Sequence, residues 1–203
     1  MTKKEKEKIV YSAIKSISKT YNWRFKSYFV YKTANNFLYS IILVVDVKRM
    51  KLWGWVSFKP NGVDDIFWEV INEKRNIEFP LSYRIECAIQ IDSFILDRFE
   101  IGINFEEIDS QISNLFEKFN DFINITANKY KTVNDYITLL NAQPELNARS
   151  LLTCLLLLGN FTSVLDKIKK LKSENIGSGF SYPLNDKVNY YTLVEKYCQM
   201  KSV

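Results

Sequence analysis

Residues 56–71 read VSFKPNGVDDIFWEVI and bring the carboxylates Asp64, Asp65 and Glu69 close together in sequence. Clusters of oxygen ligands can hold a divalent cation. Neighbours in sequence at a helix start splay apart, however, and no EF-hand spacing surrounds these three. Ile66, Phe67, Val70 and Ile71 fall on one face of a short helix. An aspartate at the start of that helix can accept from free backbone N–H groups, and its charge suits the positive end of the helix dipole. We read Asp64-Asp65 as a helix start and place Trp68 on the side away from Ile66 and Val70.

A second arrangement able to do chemistry is Asp46-Val47-Lys48, a D-x-K at the end of an apolar run. A metal-dependent nuclease needs a second carboxylate to share the ion, on the preceding strand in the nuclease pattern. Between Glu7 and Asp46 there is no Asp or Glu. The expectation is that Asp46 ends a strand and meets a lysine of the loop. The chain has no histidine, which removes the commonest general base and zinc ligand. The one G-x-G, Gly177-Ser178-Gly179, lacks the following G-K-[ST] of a phosphate loop. CxxC pairs and a G-x-S-x-G elbow are absent. No metal, cofactor or catalytic residue is expected, and the protein reads as a non-enzyme. A carboxylate- or metal-dependent enzyme is the second alternative.

The elements that would position any site alternate in period along the chain. Residues 3–19 repeat apolar residues at helical spacing, with lysines opposite. WRFKSYFVY (23–31), FLYSIILVVDV (37–47) and LWGWVSF (52–58) read as strands of an antiparallel meander, with TANN (33–36) as a turn. Residues 72–83 read as loop, RIECAIQI (84–91) as a fourth strand and FILDRFEI (94–101) as a fifth or a bulged continuation. The clearest helix is 105–125, with a wide apolar stripe that includes Phe105, Phe119 and Phe122. Asn104 and Glu107 resemble a capping box before it. Its outer face carries Glu106, Asp109, Glu117 and Asp121. Beyond it, Thr132 caps a helix to Leu140, Pro144 opens one that Gly159 closes, and Thr162 caps one through Leu171. Residues 174–186 read as loop, and a last helix runs from Asp186 to about Met200. The fold class expected is α+β: an N-terminal helix, an antiparallel meander of four to five strands with flanking helices, and a C-terminal helical bundle. The expected division is a sheet domain over 1–128 and a helical subdomain over 129–203.

With 203 residues and 47% hydrophobic content, the chain can bury a sizeable core. No apolar run reaches the ~18 residues of a membrane span, and MTKKEKEK lacks the features of a secretory signal. Cys87, Cys154 and Cys198 are odd in number and far apart, which fits free thiols and a cytoplasmic location. Net charge is blocky: +10 over 1–60, −9 over 61–128 and +4 over 129–203. Such a pattern either steers a charged partner or neutralises itself across neighbouring segments. Trp23, Arg24, Phe25, Lys26 and Tyr28 interleave aromatic and basic side chains as single-strand nucleic-acid binders do. On a strand, alternation sends the two kinds to opposite faces, which equally suits a core and a solvated face.

One resemblance adds to this reading. The order of helix, strands, a K-P-x-x-x-D-D-x-F-W stretch (Lys59, Pro60, Asp64, Asp65, Phe67, Trp68), then P-L-S-Y-R and a helical tail, resembles small bacterial proteins found as immunity partners of interbacterial toxins. The resemblance implies a protein that binds and blocks one toxin without catalysis. Many such toxins are basic, and an acidic surface would speed their association. Glu106, Asp109, Glu117 and Asp121 are the expected partner-binding residues. The alternative is a nucleic-acid-binding protein using the basic first 60 residues.

Overall fold

The computed structural model describes residues 1–85, 87, 89–178, 181–182 and 185–201. It is α+β, as expected, and forms two compact units, each drawn from two stretches of chain: 1–59 with 93–131, and 60–92 with 132–203. The expected division after residue 128 kept 60–92 with the sheet; the structure groups this stretch with the C-terminal helices.

The first unit begins with α1 (Lys3–Thr20). Thr2 and Glu5 close it with a reciprocal capping box, the Thr2 hydroxyl accepting from Glu5 N–H and the Glu5 carboxylate from Thr2 N–H. The sheet follows in the order β1 (Arg24–Lys26), β2 (Phe29–Ala34), β3 (Phe37–Asp46), β4 (Lys51–Pro60) and β5 (Phe94–Gly102). The stretch read as one strand over 23–31 is split because Ser27 takes a positive φ of 54°. Asn35 and Asn36, both left-handed, turn β2 into β3. β5 pairs antiparallel with β4, with Trp53 opposite Glu100 and Trp55 opposite Arg98. The pairing shifts between Val56 and Ser57, which leaves Leu96 as an extra residue on β5, a bulge.

α4 (Ile108–Lys129) lies against the sheet face that carries Val56 and Phe99, with the Phe99 and Phe119 rings 5.1 Å apart. It starts and ends later than the expected 105–125. Asn104 makes no capping box: its Oδ1 accepts from Glu106 N–H in a local turn, and Glu107 stands at the cap position without a side-chain bond. α1 packs on α4, and Tyr21 stacks on Phe116 at 5.9 Å.

The second unit holds α2 (Val63–Val70), a 3-10 turn (Lys74–Glu78), α3 (Leu81–Arg84), α5 (Val133–Leu140), α6 (Pro144–Leu157), α7 (Phe161–Ser173), a two-stranded ribbon of β6 (Ser181–Tyr182) and β7 (Asn185–Asn189), and α8 (Tyr190–Lys201). α2 packs on α6 and α8, with the Phe67 and Tyr190 rings 5.6 Å apart. Full burial of Phe67 and Trp68 contributes roughly 2–3 kcal/mol each.

Of the starts of α5, α7 and α8, one is as expected and two differ. Thr132 caps α5 in a box with Asp135, as read. Asn160, not Thr162, caps α7, its Oδ1 accepting from Ser163 N–H at 3.1 Å directly after the left-handed Gly159 closes α6. α8 begins at Tyr190 rather than Asp186, because 185–189 pair as a strand and Asn189 Oδ1 then accepts from Thr192 N–H. Of the loop expected over 174–186, residues 179, 180, 183 and 184 lie outside the described residues.

Candidate functional site

Asp64 and Asp65 sit in the first turn of α2, but neither caps it; Gly62, with φ 82°, holds the cap position. Asp64 is buried, and its Oδ1 accepts from Ile91 N–H at 2.9 Å. Asp65 forms an ion pair with Arg84 at the end of α3. The Arg84 guanidinium also lies over the Trp68 ring, 5.2 Å from its centroid, a contact worth ~0.5–2 kcal/mol. Trp68 Nε1 donates to Ile89 O at 2.7 Å. The D-D-x-F-W and P-L-S-Y-R stretches are therefore parts of one cluster that ties the 72–92 segment to α2. Glu69, the third carboxylate, accepts from Tyr197 Oη at 2.7 Å and faces Lys201. The three carboxylates diverge to different partners. Among the described residues no group of three or more His, Cys, Asp or Glu could hold a metal ion.

The same cluster corrects the strand read over 84–91. Ile85 is a turn residue, and residues 86 and 88 lie outside the described set. Trp68, Asp64 and Gln90 side chains satisfy backbone groups of Ile89, Ile91 and Ile85. Side chains here do the work a neighbouring strand would have done. Trp68, Asn76, Phe79, Tyr83, Arg84 and Cys87 line a small cavity of about 160 Å3 beside it.

Asp46 is likewise committed to a turn. Its Oδ1 accepts from Lys48 and Arg49 N–H, and its second oxygen lies 3.8 Å from Arg49, not from a lysine. Trp23, read as part of an aromatic–basic interleave, is buried and donates Nε1 to Asn120 Oδ1. Lys32 lies over its ring and shares the same acceptor, and burial pulls the Lys32 ammonium below its ordinary pKa. Trp23 is no stacking platform.

The four acidic residues expected to bind a partner are all exposed. Glu106 precedes α4. At about 100° per residue, Asp109 lies roughly 120° around the helix from Asp121. Glu117 accepts from Tyr21 Oη at 3.1 Å, and Tyr21 also bonds Ser113. Asp121 alone of the four lines a groove of about 300 Å3 between α4 and β5, where it joins Asp97 and Lys118 over an apolar floor.

Sequence reading missed most of this surface. Phe122 was placed in the buried stripe and is 36% exposed; Ile125, off that stripe, is 67% exposed. On the opposite face of the sheet, Trp53 and Ile95 are 38% and 39% exposed, with the Trp53 and Trp55 rings 6.3 Å apart. The available signal was Ile125 itself, an aliphatic residue outside the helical repeat. The free edge of β5, by contrast, is blunted. Ile103 N–H bonds Met50 O, which puts the N–H groups of Gly102, Glu100 and Arg98 on the outer side. Asp97 Oδ1 accepts from Arg98 N–H, and Gln111 Nε2 donates to Gly102 O. With the bulge and its charges, this edge discourages strand addition.

Among the described residues no helix is long and apolar enough to cross a membrane. No protein-family model, no curated protein and no solved structure matches the chain.

Proposed function

We propose that the protein is a non-catalytic protein-binding module, an immunity protein that captures and neutralises a cognate bacterial toxin in the cytoplasm. One observation carries the binding reading. Large apolar side chains stand exposed on both sides of β5: Trp53 and Ile95 on one face, Phe122 and Ile125 on the other. Aromatic anchors with charged neighbours such as Arg98 and Asp121 have the composition of protein-binding hot spots. The dispersal of Asp64, Asp65 and Glu69 to separate structural partners supports a role without carboxylate catalysis. The motif order that resembles immunity proteins supports a toxin as the partner, and the acidic middle third of the chain supports a basic one.

The experiment is co-purification from lysate of the source organism after nuclease treatment, followed by expression of the captured protein alone and together with this chain. The expected result is a stoichiometric protein partner that is toxic alone and harmless in the pair. A captured protein without toxicity, or nucleic acid recovered only when nuclease is omitted and lost steeply with salt, would sink the reading. The second of these outcomes favours nucleic-acid binding.

A further inference from the structure

Asp97 and Asp121 line the groove between α4 and β5, and neither has an ion-pair partner among the described residues. Asp97 gives one oxygen to Arg98 N–H and keeps its charge for the groove. The floor below them is apolar, made by Val56, Phe99 and Phe119, and Ile125 extends it along the helix. Two unpaired carboxylates over an apolar floor, with Lys118 as the only cation in the lining, match one kind of side chain well. A lysine or arginine lays its aliphatic stem on hydrocarbon and presents its head to carboxylates. The bulge and the bonds at Arg98 N–H and Gly102 O disfavour strand addition along β5, and a helix is the other element that presents side chains to a groove.

We propose that this groove seats an amphipathic helix of the protein partner, with an aliphatic residue on the Val56–Phe119 floor and a lysine or arginine one turn away on Asp97 and Asp121. This rests on the protein-binding reading above and names the chemistry of the partner segment.

The probe is a fluorescein-labelled synthetic helix about four turns long, with leucine at helical spacing and lysine flanking it. Two controls replace lysine by glutamate or leucine by serine. Anisotropy against the full-length chain is expected to show binding to the Leu/Lys probe alone. Asp97→Asn with Asp121→Asn keeps both acceptors and removes both charges, and is expected to weaken binding roughly tenfold at low salt. Ile125→Ser, at a position too exposed to disturb folding, is expected to weaken it by a similar factor. Absence of binding, equal binding of the glutamate probe, or affinity unchanged in the variants would overturn the proposal. So would a homodimer dissolved by Ile125→Ser, which would assign the groove to a second copy of this chain.

The same variants go into the co-expression assay. Variants that lose the probe yet still neutralise a toxin place the interface elsewhere and leave the immunity reading standing. Groove-dependent probe binding with no toxin partner sinks the immunity reading and leaves the groove assignment.

Discussion

Asp64 Oδ1 is the acceptor for Ile91 N–H in a buried position, and alanine there removes that hydrogen bond. Loss of a hydrogen bond to a charged group costs about 1.5–3 kcal/mol. Asp64→Ala is expected to lower stability to chemical denaturation by about that much, and Asp64→Asn, which keeps an acceptor oxygen, by clearly less. Equal losses would show that charge rather than acceptance matters at this site. The thiol of Cys154, pushed up by burial and then by the nearby Asp64 carboxylate, is held protonated. A second residue-scale consequence concerns alkali. Burial pushes Tyr39 up to about 12 and raises Tyr190 as well. In the unfolded chain these phenols lose their protons near the ordinary value of 10, while the folded chain still holds them. Above pH 10 the unfolded state therefore binds fewer protons, and stability falls as pH rises. It is present in full below pH 10 and is lost towards pH 12. Denaturant midpoints measured from pH 9 to 12 should fall across that window, with part of the tyrosinate absorbance appearing only as the chain unfolds. In Tyr39→Phe the fall should be shallower.

At the scale of elements, β3 and β4 meet at a point that admits no side chain. A Cβ on Gly54 would stand 1.8 Å from Ile42 O, against backbone rather than a movable side chain. Gly54→Ala is expected to cost about 3 kcal/mol or more, at the high end for a single substitution. A Tm close to the wild type would mean the two strands can part locally. Gly54 also shows where sequence reading succeeds and stops. The alternation of LWGWVSF reported the strand correctly, since period two follows from the pleat alone. RIECAIQI has the same alternation through Ile85, Cys87, Ile89 and Ile91 and is no strand among its described residues. The difference lies in Trp68, Asp64 and Gln90, which take up the backbone groups of that segment. Two of these, Trp68 and Asp64, are distant in sequence, and no local period records them. The candidate site was legible to the same degree. Asp121 was found because a helix repeat displays its outer face, whereas Asp97 joins it only through the pairing of β5 with β4. Asp109 shares the helix but not the groove, because burial of the stripe around Ile112 and Phe116 fixes the rotation of α4.

At the scale of the molecule, the chain leaves the first unit after Lys59, returns at Ser93 and leaves again after Lys131. A cut after residue 131 therefore divides the second unit. It removes α6 and α8, on which α2 packs, and uncovers Phe67, fully buried in the whole chain against Tyr190 and Arg149. An exposed apolar patch of that kind promotes association. Phe58 and Phe94 are direct partners across β4 and β5, so the ends of the excursion lie a strand spacing apart. A hairpin loop of about 2–5 residues can join them. Residues 1–131 alone are expected to bind a hydrophobic dye and aggregate. The same chain with 60–92 replaced by such a loop is expected to stay monomeric and unfold cooperatively, as a unit with its own helices and sheet should. Dye binding and sedimentation of the two chains, side by side, test this. If the simple truncation proves as cooperative as the looped chain, residues 60–92 need no support from the C-terminal helices, and a boundary near residue 128 is restored. If both keep the α4/β5 groove folded, the looped chain becomes the smallest body on which binding at Asp97 and Asp121 can be measured without α5–α8.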